Sequence, residues 1–382
     1  MTLNTLNRKE VKKLSLPDVS RKKTDKREES EDTVEFEIAP GVFVGGNRPV
    51  FIIAEIGQNH QGSYLKARRL IRIAADCGVH CVKFQKSDIR SRFTEEALNR
   101  PYQNEHSFGA TYGEHRRVLE LSNENFVKLK QYAEELGLIF AATGMDQPSI
   151  DFLQHIGVPF FKIGSADTTN LPLLRHVSRY NKPLVISTGM TSEEDLSTVY
   201  YEILKSARDI AIMQCTSCYP TPSRYANLNV IQAYKNLYPG AVIGYSGHEE
   251  GVVESVAAVA AGAKIIERHI TLHHSLKGSD HASSLNPVEL RYFVKSIKIV
   301  EQAMGKFQKE NQVCELDCYA KLGKTIVAAN FLASGTYISE EDMAVKVSSR
   351  KGFDPLLFYQ LVGRRLKEAV ELDEPLMPSH FD

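Results

Sequence analysis

The sequence has few cysteines, no excess of either charge and no long apolar run. Its 47 basic residues are balanced by 47 acidic ones, which argues against a nucleic-acid-binding protein because that class needs a basic surplus. Six cysteines in 382 residues do not make a disulfide framework, so we expect free thiols and a reducing compartment. No apolar run approaches the roughly 18 residues that span a bilayer, and the first residues lack the apolar core of a secretory signal. We therefore expect a cytoplasmic protein with neither a nucleic acid nor a membrane as partner.

A charged segment, residues 1–35, opens the chain and is predicted to be disordered. It carries the basic clusters Lys12-Lys13 and Arg21-Lys22-Lys23, then an acidic run at residues 28–32, and it has no aromatic residue. Such a segment buries too little apolar surface to offset the entropy lost on ordering. A solvated tail is the favoured interpretation, and a nuclear import signal is the alternative.

Short apolar segments alternate with amphipathic helical patterns from Phe51 onwards. Apolar segments without strict alternation are typical of parallel strands that are buried on both faces. The eight segments are Phe51–Gly57, Cys81–Gln85, Leu138–Gly144, Phe160–Ser165, Pro183–Gly189, Ile210–Ser217, Ala241–His248 and Lys264–Thr271. Eight strands over about 250 residues predict a (β/α)₈ TIM barrel. A doubly wound sheet is the alternative, but no Gly-x-Gly-x-x-Gly follows the first strand.

Polar residues stand at or just beyond the C-terminal ends of these segments, the rim where barrel enzymes carry their active sites. They are Glu55, Lys83, Gln85, Lys162, Ser165, Asp167, Ser187, Ser217, Tyr219, Ser246, His248 and His269. Any single lysine or histidine of this set is more simply explained by a salt bridge or by core packing. Because seven strands repeat the pattern, a catalytic rim is the favoured interpretation.

The residue types on this rim indicate a metal and a small anionic substrate. His248 and His269 lie on neighbouring strands, and with oxygen groups around them Mn²⁺ or Mg²⁺ fits better than zinc. The alternative is that the two imidazoles bind sugar hydroxyls. The lysines and serines suit a phosphate or carboxylate, and three carboxylates are candidate acid–base groups or sugar-hydroxyl acceptors. These carboxylates are Glu55, Asp167 and Asp280.

Seven motifs closely resemble the sialic acid synthase family. They are Phe51–Gly62, Val82–Lys86, Phe161–Ser165, Ile186–Met190, Gln214–Ser217, Gly244–His248 and Ile266–His269. The resemblance runs from about Ile38 to the C-terminus and is closest to the animal N-acetylneuraminate-9-phosphate synthases, including the stretch from Arg100 to His115.

The resemblance implies that phosphoenolpyruvate condenses with N-acetylmannosamine 6-phosphate, or a related mannose 6-phosphate, to give N-acetylneuraminate 9-phosphate, or its deaminated analogue, and phosphate. It implies that Glu55 and Asp280 are catalytic and that His248 and His269 bind the metal, which polarises the aldehyde oxygen. The phosphoenolpyruvate contacts that it implies are Lys83, Lys162, Ser165, Ser187, Ser217 and Ser246. The sugar contacts that it implies are Gln85, Asp167, Tyr219 and Lys324.

The resemblance also implies a second domain. We expect a barrel over residues 36–305, a linker over residues 306–321 and a small antifreeze-like (SAF, β-clip) domain over residues 322–382. The family has an arginine near the start of this last domain, and Lys324 stands in its place. The resemblance further implies a domain-swapped homodimer in which this residue reaches the sugar of the partner subunit.

The segment after the second barrel strand carries a basic set suited to a second phosphate. Its members are Arg100, His106, His115, Arg116 and Arg117. A solvated basic loop is the alternative. We expect the phosphorylated sugar to be preferred, and mannose 6-phosphate stays open as an acceptor.

Two other functions compete with a synthase. A metal-dependent aldolase that uses pyruvate would not need two lysines and four serines for a phosphate. A carbohydrate-binding or antifreeze-like protein on an inactive barrel should lack rim residues, yet every metal and lysine position is filled.

Overall fold

The computed structural model describes residues 34–381, which form two compact units, residues 34–305 and residues 306–381. The segment expected to be disordered, residues 1–35, lies outside the described residues except for its last two positions. Of these, Glu35 belongs to a strand, so that prediction extended one residue too far.

Eight parallel strands in the first unit close into a barrel, as predicted. The strands are β3 (Phe51–Gly57), β4 (Cys81–Lys86), β5 (Ile139–Gly144), β6 (Phe161–Ile163), β7 (Leu184–Ser187), β8 (Ile210–Cys215), β9 (Ala241–Gly247) and β10 (Ile265–His269). They follow one another around the barrel in chain order, and β10 pairs with β3 to complete the circle. Their residues are buried almost throughout, because side chains fill the interior and helices cover the outside.

Helices connect these strands and pack around the barrel. They are α1 (Tyr64–Cys77), α2 (Ile89–Arg92), α3 (Glu95–Asn99), α4 (Tyr112–Leu119), α5 (Asn123–Glu135), α6 (Gln147–His155), α7 (Leu171–Ser178), α8 (Glu193–Ile203), α9 (Asn229–Leu237), α10 (Val253–Ala260) and α11 (Pro287–Met304). The boundaries follow local chemistry. In α1, the Ser63 side chain accepts the N–H of Lys66 at the start, and Gly78 ends the helix in the left-handed region with φ 79°. In α11, Asn286 and Glu289 form a reciprocal capping box.

A two-stranded hairpin precedes the barrel and was not anticipated from the sequence. Strands β1 (Glu35–Ala39) and β2 (Val42–Gly45) pair antiparallel. Phe36, Ile38 and Val44 are buried in one apolar cluster with residues at the N-terminal ends of barrel strands, such as Phe51 and Val242. The hairpin therefore covers the end of the barrel opposite the rim that carries the polar residues.

The second unit has its own small core. Strands β11 (Lys324–Ala328) and β12 (Met343–Val347) pair antiparallel, and the short helices α12 (Leu316–Leu322) and α13 (Phe358–Leu361) lie before and after them. Ile326, Leu332, Leu361, Leu366 and Leu376 are among the buried residues that pack together. The predicted linker overlaps α12, a helix that the sequence analysis did not anticipate.

Within residues 34–381 there is no helix long and apolar enough to cross a membrane. All six cysteines are free thiols, as expected.

Candidate active site

The register of the barrel strands places polar side chains side by side at the C-terminal rim. Glu55 is aligned with Lys83 on one side and with His269 on the other. Thr143 is aligned with Lys162, and the serine at position 246 is aligned with residues on both neighbouring strands. The sequence therefore builds one site from strands that are far apart in the chain.

A cavity of about 430 Å³ opens among these strand ends. The structure brings together all the predicted site residues except Lys324. Those that line the cavity are Glu55, Lys83, Gln85, Lys162, Ser165, Asp167, Ser187, Ser217, Tyr219, Ser246, His248, His269 and Asp280. Lys324 lies in the second unit, exposed at the first position of β11.

A buried charge network forms the floor of the cavity. Lys83 Nζ lies 2.7 Å from Glu55 Oε2 and 3.5 Å from Glu267 Oε1, and it donates to Thr143 Oγ1 at 2.9 Å. Burial by itself lowers the pKa of Lys83, but the two glutamates outweigh it and raise that pKa. Lys83 is therefore a fixed positive charge that faces the cavity.

The second lysine is held differently. Lys162 Nζ donates to Ser187 Oγ at 2.7 Å and to the carbonyl of Ile163 at 3.2 Å, and it lies 3.9 Å from Glu267 Oε1. Burial lowers the pKa of Lys162, and the charge of Lys83 lowers it further, while Glu267 acts in the opposite direction. Glu267 thus serves both ammonium groups, and Glu55 also pairs with Lys83, so the lysines offer an incoming anion ammonium N–H donors rather than an excess of positive charge.

Hydroxyl groups converge beside the lysines because a glycine leaves room for them. A Cβ on Gly189 would lie 2.1 Å from Ser217 Oγ and 2.8 Å from Ser165 Oγ. The N–H of Gly189 donates to Ser165 Oγ at 3.0 Å, and Ser246 Oγ donates to Glu267 Oε1 at 3.4 Å. These hydroxyls and the two ammonium groups make a cluster of donors suited to a phosphate or carboxylate.

Two histidines face each other across the strands β9 and β10. The ring centroids of His248 and His269 lie 5.3 Å apart, and the ring of Tyr219 lies against His248, with its centroid 4.1 Å away and its plane tilted by 48°. His248 Nδ1 lies 3.2 Å from the carbonyl of Thr216, so this nitrogen carries the proton and Nε2 keeps its lone pair. Burial, followed by the nearby His269, lowers the pKa of His248 to about 3, so the ring is neutral near neutral pH.

The donor set fits a divalent metal ion held by two imidazoles. His269 Nδ1 is buried and has no hydrogen-bond partner, and the nearest carboxylate oxygen, Asp280 Oδ2, is 3.9 Å away. A Cβ on Gly57 would lie 3.2 Å from this nitrogen, so glycine keeps the space beside it open. In the part of the chain that the structure describes, no three His, Cys, Asp or Glu residues are grouped to hold a metal. Oxygen atoms of substrate or water would complete the coordination.

The remaining predicted contacts surround this centre. Gln85 Nε2 donates to Glu55 Oε1 at 3.1 Å, and Asp167 accepts from Asn170 Nδ2 at 3.0 Å. Burial raises the pKa of Asp167 despite that hydrogen bond. Asp280 is half-buried and accepts from Ser279 Oγ at 2.7 Å. These groups can hold hydroxyls of a polyol at fixed positions.

The basic segment after β4 reaches the cavity only in part. His115 and Arg116 line it, as expected. The other three members of the set do not line it. Arg100 Cζ lies 4.3 Å from the ring centre of Tyr112, and His106 Nε2 lies 3.5 Å from Glu105 Oε1. Arg117 is exposed.

Sequence reasoning missed three residues of the site. Glu267 belongs to the recognised motif Ile266–His269, but the pattern of the strand alone did not distinguish it from a structural residue of the barrel interior. Thr143 and Arg92 also line the cavity. The inward alternation of β5 could have identified Thr143, whereas no pattern marks Arg92, which ends the short helix α2 between β4 and β5.

A family model for the NeuB family matches residues 70–309. The chain is 47% identical over 349 residues to N-acetylneuraminate-9-phosphate synthase of Homo sapiens, an alignment that covers 91% of this chain and 97% of the human protein. It is 43% identical to the protein of the same name in Drosophila melanogaster, with 86% of this chain and 95% of the fly protein covered.

The fold also resembles a solved structure. The N-acetylneuraminic acid (sialic acid) synthetase of Leptospira borgpetersenii, crystallised in complex with citrate, superimposes with a TM-score of 0.66 at 32% sequence identity. The match covers 75% of this chain and 95% of the bacterial one.

Proposed function

Because the chain belongs to the NeuB family, we propose that it condenses phosphoenolpyruvate with N-acetylmannosamine 6-phosphate to give N-acetylneuraminate 9-phosphate and phosphate. The observation that carries this proposal is a single cavity that holds both an anion-binding cluster and a histidine pair. Lys83 and Lys162 supply the first, and His248 and His269 supply the second. An aldol-type condensation needs both, since an anionic nucleophile must lie beside an activated aldehyde.

The lysines and serines bind phosphoenolpyruvate. Its phosphate and carboxylate are met by two ammonium groups and by the hydroxyls of Ser165, Ser187, Ser217 and Ser246. Because Glu267 and Glu55 keep Lys83 protonated, the anion meets a preformed charge and needs little reorganisation.

His248 and His269 are the residues that would hold Mn²⁺ or Mg²⁺. The chemistry that such an ion supplies when bound is Lewis-acid polarisation of a carbonyl oxygen. The protein's own contribution is to position the two imidazole rings: the Thr216 carbonyl orients His248, and Gly57 leaves His269 Nδ1 uncovered.

The reaction forms one carbon–carbon bond and releases one phosphate. C3 of phosphoenolpyruvate bonds to the aldehyde carbon of the open-chain sugar, whose oxygen takes a proton and becomes a hydroxyl. Water adds to C2 and gives up both protons, one to the former aldehyde oxygen and one to the departing phosphate. The C2–O bond to phosphate breaks, phosphate leaves with its electron pair, and C2 becomes a carbonyl carbon. Glu55, whose Oε1 is hydrogen-bonded to Gln85, and Asp280 beside His269 are the carboxylates placed to take and return these protons.

Gln85, Asp167 and Tyr219 orient the sugar chain. Since Asp167 is half-buried and its pKa is raised, it is a better hydrogen-bonding partner for a hydroxyl than a fully hydrated carboxylate would be. Fixing the acceptor in this way converts a bimolecular step into an effectively unimolecular one.

The assembly and location are part of the same proposal. We infer a cytoplasmic homodimer in which the second unit acts as an antifreeze-like cap, with Lys324 directed to the sugar of the partner subunit. The exposed position of Lys324 at the start of β11 is compatible with such a contact.

The direct test supplies phosphoenolpyruvate, Mn²⁺ and one of three sugars: N-acetylmannosamine 6-phosphate, mannose 6-phosphate or N-acetylmannosamine. We expect phosphate release that requires a sugar, together with a nine-carbon acid detected by mass spectrometry. Phosphate release at the same rate without sugar, or no product with any of the three, would refute the proposal.

A further inference from the structure

Two arginines from the segment between β4 and β5 lie beside each other at the edge of the cavity. Arg92 ends α2, Arg116 lies in α4, and both line the cavity. Their Cζ atoms lie 4.8 Å and 6.0 Å from the centre of the same ring, that of Phe93. Two like charges are therefore held against one aromatic ring.

Both guanidinium groups carry N–H donors that the protein does not use. Arg116 is 5% exposed, and while its Nη2 donates to Glu120 Oε1 at 3.0 Å, its Nε is buried without a hydrogen-bond partner. Arg92 Nη1 is likewise buried and unpartnered. Leaving a charged donor buried and unsatisfied is costly, so such groups usually mark the place of a ligand.

The charges around the pair are not balanced by the protein alone. Burial and then the charge of Arg116 lower the pKa of Arg92, while Asp167 and Glu120 act in the opposite direction. Glu120 is bonded to Arg116, and Asp167 is bonded to Asn170. Lys86, the other nearby cation, is bonded to the carbonyl of Leu121.

We propose that Arg92 and Arg116 form a phosphoryl-binding subsite that selects a phosphorylated sugar as the acceptor. This inference rests on the proposed function, since it concerns the acceptor of that reaction. A phosphate dianion matches the planar forks of two guanidinium groups and offsets both charges, which a neutral hydroxymethyl group does not. The lysine and serine cluster on the strand ends remains for phosphoenolpyruvate.

The experiment measures kcat/KM for N-acetylmannosamine 6-phosphate and for N-acetylmannosamine with Arg92→Gln and Arg116→Gln. We expect the value for the phosphorylated sugar to fall by about 10- to 100-fold, while that for the plain sugar and the KM for phosphoenolpyruvate change less than about 3-fold. The kcat/KM of Arg92→Lys for the phosphorylated sugar should lie between those of the unmodified enzyme and Arg92→Gln, because lysine keeps the positive charge but lacks the planar guanidinium group. Arg90→Gln is the matched control, since Arg90 is exposed in the same short helix.

A second readout does not need turnover. Mannose 6-phosphate should raise the thermal unfolding midpoint of the unmodified enzyme and of Arg90→Gln, but not that of Arg92→Gln. Arg92→Gln is the variant used here because it changes a half-buried residue and leaves the ion pair between Arg116 and Glu120 intact. Equal losses of kcat/KM for both sugars, or an undiminished midpoint shift in Arg92→Gln, would overturn the subsite. Absence of synthase activity in the unmodified enzyme would instead refute the proposed function, while the midpoint shift would still decide whether the arginines bind the phosphate.

Discussion

Glu267 Oε1 lies 3.5 Å from Lys83 Nζ, and the same oxygen lies 3.9 Å from Lys162 Nζ. All three side chains are buried, so Glu267, together with Glu55 beside Lys83, makes it possible for two ammonium groups to share the barrel interior. Removal of one partner from a buried ion pair leaves the other charge uncompensated.

We expect Glu267→Gln to lower stability by about 3 kcal/mol and to impair turnover, because two buried cations lose their common counter-charge. The lysines lower the pKa of Glu267 below its ordinary value of 4.5, even though burial acts to raise it. A depressed folded-state pKa stabilises the protein above the unfolded pKa, and this contribution is lost as the pH falls below it.

Thermal unfolding from about pH 2 to about pH 8 checks this relation, because the contribution is lost as the pH falls through the folded-state pKa, which lies below 4.5. The difference between the unmodified enzyme and Glu267→Gln should be largest above about pH 4.5 and should shrink below it. Glu250→Gln, which changes an exposed residue, is the control. A difference that grew as the pH fell would contradict the assigned charge state.

The sequence predicted the barrel well because its signal repeats. All eight strands lie where the apolar segments were expected, and β3 has the expected bounds, Phe51–Gly57. The hairpin β1–β2 was missed because the charged segment before it masked a short alternating pattern, Glu35–Ala39. Arg92 was missed for a different reason: its position depends on packing against Phe93 and α4, which no periodicity encodes.

We expect His248→Ala and His269→Ala each to reduce turnover by at least about 10²-fold, because the proposed metal loses half of its protein ligands. Titration of Mn²⁺ followed by calorimetry should give binding to the unmodified enzyme and none to either variant. Circular dichroism should be unchanged, and His155→Ala, which alters an exposed histidine of α6, should behave as the unmodified enzyme does. Full activity after treatment with a chelator would show that the reaction does not require a metal ion.

Gly189→Ala should raise the KM for phosphoenolpyruvate by about 10-fold or more, because the new methyl group would displace Ser217 and Ser165. Initial rates at varied phosphoenolpyruvate check this. The control is Gly164→Ala, whose added Cβ would come no closer than 3.4 Å to Thr143. If both variants changed the KM equally, the hydroxyl cluster would not be the phosphoenolpyruvate site.

A chain cut after Lys306 should fold its barrel, since the apolar clusters of the first unit are formed by residues 36–297, but it should lose most synthase activity. The expected cause is loss of the proposed cap, which would exclude water and orient the sugar. Circular dichroism and phosphate release measure the two properties separately.

Mixing the truncated chain with full-length His269→Ala decides whether the proposed cap acts in trans. The truncated chain has an intact histidine pair, and full-length His269→Ala has an intact second unit, so activity should return only if the cap of one subunit serves the other. Full activity of the truncated chain alone would refute the capping role. An enzyme that is active as a monomer at the assay concentration would refute the domain swap between subunits.

The seam between β3 and β10 has a consequence for the timing of synthesis. Glu55 and His269 are aligned across that seam, yet the ribosome makes them on the order of ten seconds or more apart. Until β10 emerges, the nascent chain lacks both Glu267 and His269, so Lys83 and Lys162 have not yet gained the carboxylate that they share. A nascent chain that lacks β10 therefore holds only part of the set of reacting groups, and Asp280 and the second unit are made later still.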